Sequence, residues 1–146
     1  MPSTTRAGAW NACLTPSWMR PHASESFPGS PTDVYVSPYS AEGFNLPVLE
    51  AVACGLPVVV TKGGPTDDFV PEGSGLFVAS RLVAAAEGLG EHLDPDFPAL
   101  VDAMGRAALD PAVRTKARAV GPVHAETTHS WDAVAGAMVD LFRKLS

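Results

Sequence analysis

The strongest constraint on this chain is a pair of short β-rich runs with one amphipathic segment between them. VYVSP (34–38) is β-branched and aromatic and ends on Pro38, and LPVVVT (56–61) is close to continuously apolar. Continuous apolar character over so few residues suits a parallel strand buried on both faces, since neither face meets water. Between the two runs, PVLEAVAC (47–54) spaces its apolar residues for about two turns of helix, with Pro47 suited to the first turn and Gly55 as the stop. Strand, helix and strand in that order imply a right-handed crossover, and hence an α/β sheet.

The rest of the chain extends this plan. LFVAS (76–80) reads as a third strand, reached through the loop KGGPTDDFVPEGSG (62–75), which holds a helical turn over Thr66–Val70. Residues 33–37, 57–61 and 76–79 are therefore expected to be parallel strands of one sheet, with the helix 47–54 crossing between the first two. Helices are expected over 81–93, 97–109, 111–120 and 130–145. No internal repeat is visible.

Composition narrows the class of function. A chain of 146 residues can bury one real core, and its 46% hydrophobic and 18% charged residues suit a soluble globular protein. A net charge of −6 argues against sequence-independent nucleic-acid binding, which needs a basic surface. No stretch approaches the roughly 20 apolar residues of a membrane span. Cys13 and Cys54 make no disulfide framework, which points to a reducing compartment and a cytoplasmic location. The charge is uneven: residues 1–24 hold Arg6 and Arg20 and no acid, whereas the remainder holds eight bases and sixteen acids. That leader has no apolar h-region and is no secretory signal. It reads as an irregular or disordered extension over residues 1–30 that carries no chemistry, with an organelle transit peptide as the alternative.

In an open parallel sheet, ligands bind at the carboxyl ends of the strands. The loop after the first strand holds Glu42, Gly43, Phe44 and Asn45 and leads through Leu46 into a helix N-terminus; the loop after the second holds Lys62, Gly63 and Gly64. Free backbone N–H groups and the helix dipole favour an anion there, phosphate above all. Gly43 permits close approach to the backbone. Glu42 before the helix and Glu50 one turn into it can bracket the helix end. Carboxylates repel a phosphate, so their partners would be hydroxyl groups on either side of it. A nucleotide sugar, with ribose and hexose flanking a diphosphate, meets that description.

The segment DVYVSPYSAEGFNLPVLEAVACGLPVVVTKGG resembles the donor-binding segment of retaining glycosyltransferases of GT-B architecture, the family of sucrose and glycogen synthases and bacterial mannosyltransferases. Glu42 and Glu50 match its E-x7-E motif, Gly63 and Gly64 its following glycine pair, and HSW (129–131) the opening of its last helix; Asn45 stands where glycine is commonest. The resemblance runs over residues 30–146. It implies that Glu50 accepts hydrogen bonds from ribose hydroxyls and that Glu42 acts near the anomeric centre. It further implies that the backbone from Gly43 to Leu46 holds diphosphate and sugar, and that no metal or other cofactor takes part. It gives a partial Rossmann-like fold: a parallel sheet of about three strands flanked by helices, with a helical tail. Residues 31–146 would be the C-terminal half of a donor-binding domain.

A complete GT-B enzyme has two Rossmann domains with catalysis between them. The family's acceptor domain, upstream glycine-rich turn and basic pair have no match here, so these residues are not expected to transfer sugar alone. The acceptor stays open, as does peripheral membrane association of a full-length enzyme. The alternatives are a non-catalytic fragment or pseudoenzyme, and a GT-B nucleotide-sugar epimerase. Plainer readings stand beside the functional ones. Glu50 can complement the helix dipole, Glu42 and Lys62 can be solvated charges, Gly63-Gly64 a simple turn, and Asp67-Asp68 a cap of the short turn. Cys54 reads as core filler and Trp131 as a packing anchor for the last helix. His22, His92, His124 and His129 show no metal-ligand spacing.

Overall fold

The computed structural model of the chain describes residues 33–85 and 90–145, so the leader over 1–30 lies outside the described residues. Three strands, β1 (Tyr35–Ser37), β2 (Val58–Thr61) and β3 (Gly75–Val78), form one sheet in the order β1-β2-β3. Both pairings are parallel, with Tyr35 opposite Val58 and Val58 opposite Gly75. Helix α1 (Leu46–Ala53) crosses between β1 and β2, as its flanking apolar runs require. It ends where Gly55 turns the chain at φ 74°, a left-handed geometry that glycine adopts without steric cost.

The central strand shows why its sequence is apolar throughout. Val58, Val59, Val60 and Thr61 are all fully buried. Val58 and Val60 pack with Val48, Ala51 and Val52 of α1 and with Phe69 and Val70. Val59 joins Val78 in a second core with Leu100, Ala103 and Ala107 of α2 (Phe97–Leu109). Helices therefore cover both faces of β2. Helix α2 occupies the expected range 97–109. The Asp96 carboxylate accepts from the Ala99 N–H at 2.8 Å and Pro98 lies in the first turn, two ordinary helix-start devices.

Three expectations are corrected. The helix expected over 81–93 is absent from the described residues of that range. Its ends instead belong to an antiparallel hairpin of β4 (Ser80–Ala84) and β5 (Glu91–Pro95), paired from Ser80 opposite Pro95 to Ala84 opposite Glu91. Alanine-rich SRLVAAA favours helix locally. The ladder and the cross-strand Arg81–Asp94 ion pair at 2.7 Å supply what overrides that preference. Helix α3 (Pro111–Thr128) does not stop at 120 but runs through Gly121 and Pro122. Gly121 is buried against α1, where an added Cβ would lie 2.4 Å from the Val52 carbonyl oxygen. Tertiary packing thus holds a helix that its own sequence would end. Trp131, expected to anchor α4 (Trp131–Leu145), is 75% exposed. The residue that secures this helix is Ser130, whose Oγ accepts from the Ala133 N–H at 3.1 Å as an N-cap does. Cys54 is buried as expected, and burial followed by the Glu50 charge pushes its thiol pKa up. A buried thiol so disfavoured as thiolate is inert filler.

Candidate functional site

The parallel register brings the carboxyl ends of all three strands to one edge, with Ser37 opposite Val60 and Thr61 opposite Val78. The loop leaving β1 ends at Asn45, which is only 6% exposed and adopts φ 70°, ψ 58°. Among larger residues asparagine tolerates this left-handed conformation best, so Asn45 and the glycine commonest in the resembling motif satisfy one backbone demand. Its side chain does not cap α1. Asn45 Nδ2 donates instead to Ser37 Oγ at 3.0 Å, tying the helix start to the end of β1.

This geometry leaves the start of α1 open. The Asn45 carbonyl accepts from the Val48 N–H at 3.0 Å and the Leu49 N–H at 3.4 Å, and Pro47 has no N–H. Among the described residues, the amides of Phe44, Asn45 and Leu46 have no acceptor. The Gly43 N–H is taken by the neighbouring Glu42 Oε1 at 2.9 Å. A Cβ built on Gly43 would meet nothing within 4 Å, so open space adjoins the backbone there. Glu42 is exposed and Glu50 half-buried, and neither is paired with a basic side chain among the described residues. Leu46 is exposed.

The loop after β2 is more committed. Lys62 Nζ sits 2.9 Å from Asp67 Oδ2 and 4.8 Å from the centre of the Phe77 ring. The same Asp67 oxygen accepts from the Gly63 N–H at 3.1 Å, and Gly63 adopts φ 95°. Asp67 is third in the 3-10 turn Pro65–Asp68, which has no side-chain cap, so Asp67 ties down the loop and the expected capping of the turn by the acidic pair is not seen. Gly64 lies against Tyr39, whose hydroxyl oxygen would be 2.6 Å from an added Cβ. That hydroxyl donates to the Thr61 carbonyl at 3.1 Å and lies 2.7 Å from Thr66 Oγ1. The two loops are therefore joined through Tyr39, a residue that sequence reading passed over. A tyrosine directly after a strand-ending proline was the available signal.

A row of rings runs from the first loop into α3. Phe44 stacks on Phe69 with centroids 4.8 Å apart, Phe69 meets the edge of His129 at 6.2 Å, and His129 meets His124 at 5.3 Å. Burial, and then the neighbouring His124, lower the His129 pKa. Nε2 of both histidines is buried without a hydrogen-bond partner among the described residues. Nothing in the local sequence at 44, 69, 124 and 129 signals this row. Among the described residues no three His, Cys, Asp or Glu side chains gather where they could hold a metal ion. No helix among them is long and apolar enough to cross a membrane.

Residues 30–94, which contain both loops, match the family model described as Glycosyl transferases group 1. This region is similar to the group 1 glycosyltransferases. Its relatives include D-inositol 3-phosphate glycosyltransferase of Corynebacterium urealyticum, 36% identical over 77% of this chain and 23% of the relative. Lipopolysaccharide core biosynthesis mannosyltransferase LpsB of Rhizobium meliloti is also 36% identical, over 63% of this chain and 28% of its own length. Among solved structures, sucrose-phosphate synthase from Thermosynechococcus elongatus superposes with a TM-score of 0.58 and 32% identity, over 77% of this chain and 25% of that one. The chain thus spans about a quarter of the length of these glycosyltransferases. Its three-stranded parallel sheet flanked by helices is similar to part of a GT-B glycosyltransferase domain.

Proposed function

We propose that this chain is the donor-binding part of a retaining glycosyltransferase that uses a nucleotide sugar. The observation that carries this reading is the open start of α1, with three amides unpaired and two carboxylates held by no basic side chain among the described residues. Aligned N–H groups and the positive end of a helix suit a diphosphate. Such donors would also stabilise the charge that develops on the leaving diphosphate, without a metal. Glu50 would accept from the two ribose hydroxyls, which a carboxylate can bind in bidentate fashion. Glu42 would exchange its bond to the Gly43 N–H for the sugar near its anomeric carbon, where its charge opposes an oxocarbenium-like centre. Lys62 and the Gly63 N–H are both engaged by Asp67, so the Gly64 N–H is the second-loop donor left to offer, and Gly63 would contribute only by releasing Asp67.

Titration calorimetry with UDP, GDP and ADP tests this reading. One of the three should bind the wild-type chain, and Glu50→Gln should weaken that binding by about 1–3 kcal/mol while leaving folding unchanged. Equal affinity in wild type and variant would remove the ribose role, and no binding of any of the three would remove the donor site.

A further inference from the structure

We propose that the β4–β5 hairpin is a strap that positions both loops of the site, with Leu93 and Ser80 as its positioning residues. The hairpin leaves the sheet directly after β3 and closes at its base, where the Asp96 N–H donates to the Ala79 carbonyl at 2.8 Å. It therefore begins and ends at the carboxyl edge, beside the loops after β1 and β2. Three contacts reach those loops. The Leu93 N–H donates to the Ser40 carbonyl at 2.7 Å, two residues before Glu42. Ser80 Oγ donates to the Lys62 carbonyl at 2.6 Å. The Leu93 side chain, 9% exposed, packs over Gly63, where an added Cβ would lie 3.4 Å from Leu93 Cδ2.

These contacts differ from the rest of the hairpin. Leu82, opposite Leu93 in the ladder, is exposed, and Arg81 and Asp94 spend their charges on each other at the surface. Leu93 is the buried residue of the two strands, and Ser80 and Leu93 make the bonds to the loops after β1 and β2. A positive φ at Gly63 excludes most side chains and leaves the space that Leu93 fills. Leu93 touches both loops through one residue, as Tyr39 does on the sheet side. The segment between Ser40 and Gly43, which carries Glu42, is consequently held from two directions. Such pre-organisation is what a preformed polar site needs, since ordering its loops on binding would cost affinity.

The strap is testable without any ligand, and only its second arm rests on the proposed donor site. Hydrogen exchange is measured on the full chain as wild type, Ser80→Ala, Leu93→Ala and Leu93→Met. The hydrogen-bonded loop amides of Gly43, Lys62 and Gly63 should exchange about tenfold faster in the two alanine variants and at near wild-type rates in Leu93→Met. In the second arm, whichever of UDP, GDP or ADP binds wild type should bind the alanine variants about five- to tenfold more weakly, with Leu93→Met restored. Ser80→Ala removes one hydroxyl, so it decides the question if Leu93→Ala does not fold. Unchanged loop exchange in folded Ser80→Ala and Leu93→Ala overturns the strap. Absence of nucleotide binding in wild type overturns the donor site instead, and the exchange rates still decide the strap.

Discussion

The Tyr39 hydroxyl lies 2.7 Å from Thr66 Oγ1 and donates to the Thr61 carbonyl at 3.1 Å, so one phenol joins the loops after β1 and β2. A hydroxyl carries one proton, so the Thr66 hydroxyl is the donor in the shorter bond. Thr66 is fully buried and has no water to turn to. Tyr39→Phe keeps the ring against Gly64 and deletes only the oxygen. Stranding a buried hydroxyl costs about 1–3 kcal/mol, and the urea midpoint should fall accordingly with an unchanged slope. An unaltered midpoint would show that the clasp contributes nothing to the folded state.

Asn45 separates a backbone demand from a side-chain one. Its φ of 70° penalises alanine by about 1–2 kcal/mol, whereas glycine accepts it freely. Both replacements lose the bond to Ser37 Oγ, worth about 1 kcal/mol. Asn45→Gly should therefore stay within about 1 kcal/mol of wild type, and Asn45→Ala should lose about 2–3 kcal/mol in chemical denaturation. Equal losses would mean that the left-handed geometry is not what selects the residue.

These two residues also show how far the sequence could be read. The βαβ plan was legible because Val58–Thr61 is apolar at every position, a pattern with few homes other than a strand covered on both faces. Helix α2 was legible because Asp96 and Pro98 mark its start by local chemistry. What escaped depends on distant partners. Ser80–Ala84 becomes a strand because it pairs with Glu91–Pro95, and Gly121 stays helical because it fits the Val52 carbonyl. Tyr39, Leu93 and the ring row to His129 act across loops that only the fold brings together. The motif pointed to the loop after β1, and the contacts that hold the shape of that loop lay elsewhere in the chain.

His129 should make stability depend on pH. Its pKa in the folded protein is lowered, by burial first and His124 second, so the unfolded chain takes up a proton at higher pH than the folded one does. Stability rises with pH wherever the unfolded state binds more protons. The contribution is therefore complete above the ordinary histidine value of about 6.5, and declines as pH falls from there through the folded pKa. Thermal melts between pH 7.5 and 5 should show this decline in wild type and a shallower one in His129→Gln. Identical slopes would place the pH dependence on other groups.

Glu42 distinguishes a transferase from a binder. It is exposed, bonded among the described residues only to the adjacent Gly43 N–H, and next to open space, so its replacement should leave the fold intact. If its charge acts mainly on the transition state, Glu42→Gln in an enzyme that also holds an acceptor should bind donor nearly as wild type does. Its kcat should fall by about 10²–10³-fold, the usual loss for one pre-organised electrostatic group. Glu50→Gln should do the reverse, weakening donor binding and sparing kcat at saturation, because ribose contacts are the same before and during transfer. Measuring Kd and kcat for both variants separates the roles, since each is expected to move a different constant. Loss of donor affinity alone in Glu42→Gln would make Glu42 a binding residue, and an unchanged kcat and Kd would return it to the solvated loop.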